Sequence, residues 1–91
     1  MIARRLIVRG RVQGVFYRNW AVETAQGLGI TGWVRNLLTG EVEILACGEA
    51  DAVEAMIARC RLGPSAASVS GIDIEEAAPE PLASFGKRPM I

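Results

Sequence analysis

At 91 residues, half of them apolar, the chain is read as one domain, 1–91, able to bury one core packed between two layers. Ten basic residues balance ten acidic ones, which argues against a general nucleic-acid or membrane binder, because such proteins carry a basic stripe. There is no histidine, and Cys47 and Cys60 stand well apart, so zinc sites and Ser-His or Cys-His catalysis are excluded too.

Residues 4–12 alternate, with Leu6, Val8, Gly10 and Val12 on one face and Arg5, Ile7, Arg9 and Arg11 on the other. That period of two predicts a strand with one face on a core. A turn follows at 13–17, then a helix over 18–28, with Ala21, Ala25 and Leu28 on one face and Gly27 or Gly29 ending it. Trp20 reads as core packing. Residues 30–36 are rich in strand formers, and residues 41–47 alternate Val42, Ile44 and Ala46 against Glu41, Glu43 and Leu45. The short connection between them, with Gly40 at a left-handed position, makes the pair a β-hairpin. Residues 50–62 form the clearest helix: Val53, Met56, Ile57 and Cys60 share a face, acids crowd its start, and Arg59 and Arg61 its end. Gly63-Pro64 stops it.

Residues 66–76 form another strand. Ala67 and Val69 have one parity and Ile72 and Ile74 the other, which predicts a bulge near Ser70-Gly71. After a proline-containing loop, Phe85–Arg88 is a candidate short fifth strand. The order β-α-β-β-α-β is the α+β split βαβ, or ferredoxin-like, arrangement. It predicts an antiparallel sheet with two helices on one face and the arginine-bearing face more exposed. The fold alone says nothing about activity.

The charges are unevenly placed. Residues 1–40 carry Arg4, Arg5, Arg9, Arg11, Arg18 and Arg35 against a single acid, Glu23, while nine acids follow in 41–91. This predicts a local positive field around the first strand and its turn. The stretch Gly10 to Arg18 concentrates what a small anion needs. Glycines let the backbone bend and approach a ligand closely, free N–H groups at a turn and helix start favour negative charge, and the planar fork of Arg18 suits phosphate oxygens. A tight strand-to-helix turn with a surface arginine has the same spacing, and the two readings stay open at this level. No secretory signal or membrane-length apolar run is visible. With both cysteines read as reduced, buried thiols, the expectation is a cytoplasmic protein.

Val8 to Arg18 resembles the first acylphosphatase signature, and Gly32 to Val42, continuing to Gly48, resembles the second. Gly63-Pro64 with Ala67 and Val69 is similar to the family's later part. The resemblance implies hydrolysis of the carboxyl–phosphate bond of acyl phosphates by in-line attack of water, with no metal, cofactor or covalent intermediate. It implies that Arg18 binds the phosphate, that backbone N–H groups of Gln13, Gly14, Val15, Phe16 and Tyr17 form a phosphate loop, and that Asn36 holds the attacking water. Expected partners are acyl phosphates and inorganic phosphate, with no nucleic acid or membrane, for a monomeric protein. Tyr17 stands where the family usually has Phe, and Thr39 where Asp or Asn is common. Gln13 reads either as a substrate contact or as a loop stabiliser, and Arg9, Arg11 and Arg35 either as steering anions or, the favoured reading, as solubilising the open face. Without the resemblance, Asn36 reads as a hairpin residue tolerant of left-handed backbone.

The residue inventory suits this chemistry. A carboxylate leaving group, with a conjugate acid of pKa about 4, needs little protonation, so no histidine is required. Two other readings are a non-catalytic phosphate- or carbamoyl-phosphate-binding module, as in hydrogenase-maturation proteins, and an RNA-recognition domain. The self-contained chain argues against the first. The second needs aromatic residues on the open faces of the central strands, where this chain has Arg, Ile, Glu and Leu.

Overall fold

The alternation of the first residues becomes strand β1 (Ile2–Arg11), and its apolar parity is buried, with Leu6 and Val8 fully covered. The structure, a computed structural model, describes residues 1–91. Helix α1 (Tyr17–Gly27), the hairpin β2 (Thr31–Asn36) and β3 (Val42–Gly48), helix α2 (Ala50–Cys60) and strand β4 (Ser68–Ala77) follow as the patterning predicts. The order across the sheet is β4-β1-β3-β2 and then β5 (Phe85–Lys87). Helix α1 lies over β2 and β5, and α2 over β1 and β3. Between helices and sheet sits the core, with Leu6, Val34, Ile44, Val53 and Met56 among its buried side chains and Trp20 packed against it.

The C-terminus of α1 closes as its glycines suggest. Ile30 N donates to Ala25 O at 2.9 Å and Gly29 N to Gln26 O at 3.2 Å, a Schellman arrangement. The bulge falls where the parity break places it. Arg9 pairs with Gly71 and Gly10 with Val69, so Ser70 is the extra residue and both Val69 and Ile72 reach the core. Gly10 lies within β1 rather than in the turn. A Cβ there would strike the Ser68 carbonyl, so its bare backbone serves the approach of β4, not of a ligand.

Two expectations are corrected. The sheet is mixed, not wholly antiparallel, because β5 runs parallel to β2, Gly32 opposite Phe85 and Val34 opposite Lys87. The connection dictates this. β4 is antiparallel to β1, and the chain leaving its end crosses to the far edge of the sheet. A strand starting there must run against β4, which is the direction of β2. The crossing also covers one end of the open face, where Leu82 and Ala77 pack on Ala3, Trp33, Leu45 and Cys47.

The second correction concerns charge. Glu43, only 2% exposed, sits between the guanidinium groups of Arg5 and Arg35. Arg5 also pairs with Glu75, and Arg9 with Asp73 and, at 2.8 Å, with Glu41. Arg9 holds the Asp73 carboxyl below the usual carboxylate range. Arginines clustered in the sequence thus meet acids brought beside β1 by its two neighbours, and the expected positive field around the first strand is largely neutralised. No helix is long and apolar enough to cross a membrane.

Tyr17 and Cys60 couple the two helices. The buried phenol of Tyr17 donates to the carbonyl of Cys60 at 2.7 Å. Burial raises the Tyr17 hydroxyl above its ordinary range and pushes the Cys60 thiol up to about 11. The native state therefore keeps protons that the unfolded chain releases, so stability falls as pH rises. The urea midpoint is expected to be level below pH 9, the thiol's ordinary value, and to drop between there and about 11. Both thiols should resist a thiol reagent at pH 8 until the protein is unfolded, since Cys47 and Cys60 are free and buried. A flat alkaline midpoint, or rapid labelling of native protein, would contradict this burial.

Candidate active site

The segment joining β1 to α1 is held from beneath by two buried side chains, Val12 and Val15. Between them the Gln13 side-chain amide donates to the carbonyls of Leu37 at 2.7 Å and Glu41 at 2.8 Å. Those carbonyls flank the hairpin turn, so one side chain clamps the loop to β2 and β3. Gly14 adopts φ 72° and Phe16 φ 64°, both left-handed. Glycine takes this freely, whereas Phe16 does so at a cost of about 1–3 kcal/mol. Its ring is 76% exposed, so packing of that ring does not explain the strain.

Phe16 is also the N-cap of α1, with no side-chain cap and no acid in the first turn. The first helical bond runs from Trp20 N to Phe16 O at 3.0 Å. Consequently, no protein atom accepts a hydrogen bond from the backbone N–H groups of Gln13 through Asn19. Unpaired amides with left-handed residues among them form a concavity suited to an anion, and the positive end of the helix dipole adds to it.

Arg18, the second residue of α1, is half-buried and pairs with no carboxylate. Asn36 ends β2 on the helix side of the sheet, in the same parity as buried Val34. It is 7% exposed, and its Oδ1 has no hydrogen-bond partner. A buried amide oxygen left unpaired is costly, which favours a polar ligand beside it. Gly14, Phe16, Tyr17, Arg18 and Asn36 line one hollow of about 230 Å³, together with Val12, Asn19 and Lys87. No carboxylate or thiol lines it.

Gln13 and Val15 do not line the hollow with their side chains. The first is spent on the hairpin clamp and the second on the core, which leaves them only a backbone contribution. Arg9 and Arg35 are tied into ion pairs on the open face, away from the hollow. Thr39 supports its own turn, donating to Glu41 Oε1 at 2.9 Å and accepting from Glu41 N at 3.4 Å. Sequence reasoning missed Asn19 and Lys87. Asn19 carries no signal beyond its place in the first turn of α1, and Lys87 belongs to a tail whose strand pairing is nonlocal.

Known proteins share this architecture. The family model for acylphosphatase matches residues 4–86. An acylphosphatase of Rhizorhabdus wittichii is 50% identical over 90 residues, spanning 99% of this chain and 91% of its own. Among solved structures, acylphosphatase from Bacillus subtilis superposes with a TM-score of 0.93 at 34% identity, covering 97% of this chain and 99% of that one. Full-length HypF in its phosphate- and nucleotide-bound form gives 0.90 at 27% identity, covering 98% of this chain but 12% of that one.

Gln13→Ala is expected to lower stability by about 1–2 kcal/mol, since two carbonyls lose a donor, and to weaken binding of inorganic phosphate as the loop loosens. Urea unfolding and calorimetric titration with phosphate measure the two effects. Unchanged phosphate affinity would show that the clamp does not organise the loop.

Proposed function

The chain belongs to the acylphosphatase family and has its activity, hydrolysis of acyl phosphates; on that premise we propose that Arg18, Asn36 and the amides from Gln13 to Tyr17 carry the reaction. The observation that carries this reading is the run of backbone N–H groups without protein acceptors beside an unpaired Arg18. In it the phosphoryl group sits in the loop, the amides donate to its oxygens, and the Arg18 guanidinium donates to them as a planar fork. Phosphoryl transfer spreads charge over those equatorial oxygens. Donors fixed in place before the reaction stabilise that charge, typically by several kcal/mol each.

Asn36 takes the water. Its amide is no base at neutral pH, so it orients the nucleophile in line without deprotonating it; as the new P–O bond forms and the bond to the carboxylate breaks, the water's proton passes to a phosphate oxygen. A loose transition state asks little of the nucleophile, and the carboxylate departs without a general acid. With no carboxylate or thiol in the hollow, its side chains offer poor ligands to a divalent cation, which supports a reaction without metal. The same reading takes the protein as a cytoplasmic monomer acting on small acyl phosphates. Of its open-face arginines, Arg5, Arg9 and Arg35 are engaged with acids, which argues against a basic stripe for nucleic acid.

Benzoyl phosphate turnover should persist in excess chelator and be inhibited competitively by inorganic phosphate. Arg18→Ala is expected to weaken phosphate binding and lower kcat by about 10²–10³-fold. Asn36→Ala should lower kcat by about 10²-fold, the cost of a misplaced nucleophile, while leaving phosphate inhibition nearly unchanged. Loss of phosphate binding in Asn36→Ala would refute its role as water-holder. Phosphate binding by the wild-type chain without turnover would favour the non-catalytic module reading.

A further inference from the structure

We propose that Lys87 is a second cation of this hollow and binds the substrate's phosphate alongside Arg18; the inference rests on the reading of the loop as a phosphate cradle. Lys87 is the only lysine of the chain. It sits on the outermost strand opposite Val34, so it shares the helix side of the sheet with Asn36. Beyond β5 no strand follows, and the long side chain turns over the edge toward the start of α1. There its Nζ donates to Asn19 Oδ1 at 2.7 Å, and both residues line the hollow. An ammonium has three N–H donors, so two stay available for oxygens.

The electrostatics of this corner are incomplete without an anion. Arg5, Arg9, Arg35 and Arg88 are each matched to a carboxylate. Arg4, Arg11, Arg59 and Arg61 have no such partner but lie outside the hollow, whereas Lys87 and Arg18, also without one, line it. Both are placed at the N-terminal end of α1, where the helix dipole already disfavours cations. Two cations and a dipole end, with no acid lining the hollow, repel one another in the free protein. A bound phosphate, carrying about −1.5 to −2 charges at neutral pH, relieves all three at once. Asn19 is the positioning residue: its neutral oxygen steers the amine without cancelling its charge. Because the phosphate is anionic in ground and transition states alike, Lys87 contributes to binding more than to the chemical step.

The test compares Lys87→Met, Lys87→Arg and Arg18→Ala at low ionic strength, measuring KM for benzoyl phosphate, the inhibition constant of inorganic phosphate, kcat and the melting temperature. For Lys87→Met the KM and the inhibition constant are expected to rise together by about 5-fold, the upper range for a partly exposed ion pair. Its kcat should change by less than about 2-fold, Lys87→Arg should restore phosphate inhibition, and the melting temperature should hold or rise. An inhibition constant unchanged in Lys87→Met, with a lower melting temperature or not, would overturn the inference and leave Lys87 a tie between β5 and α1. If that result accompanies loss of phosphate inhibition in Arg18→Ala, the cradle reading survives and only the role of Lys87 falls. Phosphate inhibition retained in Arg18→Ala would sink the cradle reading itself, and this inference with it.

Discussion

A row of peptide N–H groups must be kept free of every protein acceptor and still be held rigid. That constraint shapes the turn between β1 and α1. Freedom from acceptors comes from the left-handed residues Gly14 and Phe16 and from a helix start without a side-chain cap. Rigidity comes from elsewhere: Val12 and Val15 sunk in the core, and Gln13 spanning the hairpin carbonyls. Proteins ordinarily satisfy buried or turn amides internally. Leaving them unpaired is tolerable where an anion replaces the missing acceptors, and that is the chemistry an acyl phosphate brings.

The clamp also holds the loop and Asn36 in one rigid unit. Asn36 closes β2, the turn it leads into supplies both carbonyls held by Gln13, and its own carbonyl accepts from Ile91 N at 3.3 Å. Tyr17 locks the other side, tying the start of α1 to the end of α2 through the Cys60 carbonyl. The hydroxyl that separates it from the family's usual Phe thus has a structural use in this chain. On the opposite face of the sheet the acid–arginine lattice around Glu43 removes competing positive charge, so the unpaired cations that face ligand space in the hollow are Arg18 and Lys87.

Much of this was legible in the chain. Period-two alternation located β1 and β3, the 3.6-residue period located α2, and the parity break at Ser70-Gly71 located a bulge found in the register. Arg18 and Asn36 were singled out on motif resemblance, and they do line one hollow. What escaped were relations between strands distant in sequence. The uneven charge distribution suggested a positive field that the pairing of β1 with β3 and β4 largely cancels. The sheet's single parallel pair depends on where a crossing loop lands.

Sequence alone determined most of the elements and their faces, and resemblance pointed to Arg18 and Asn36, which line one hollow, because periodicity, glycine placement and motif spacing are local properties. Tertiary structure alone decided which charges meet and which stay free. It also decided that the Gln13 side chain serves the hairpin, and that Lys87 reaches the hollow. Those outcomes depend on strand order and on the geometry of a crossing connection, which no short stretch of chain encodes.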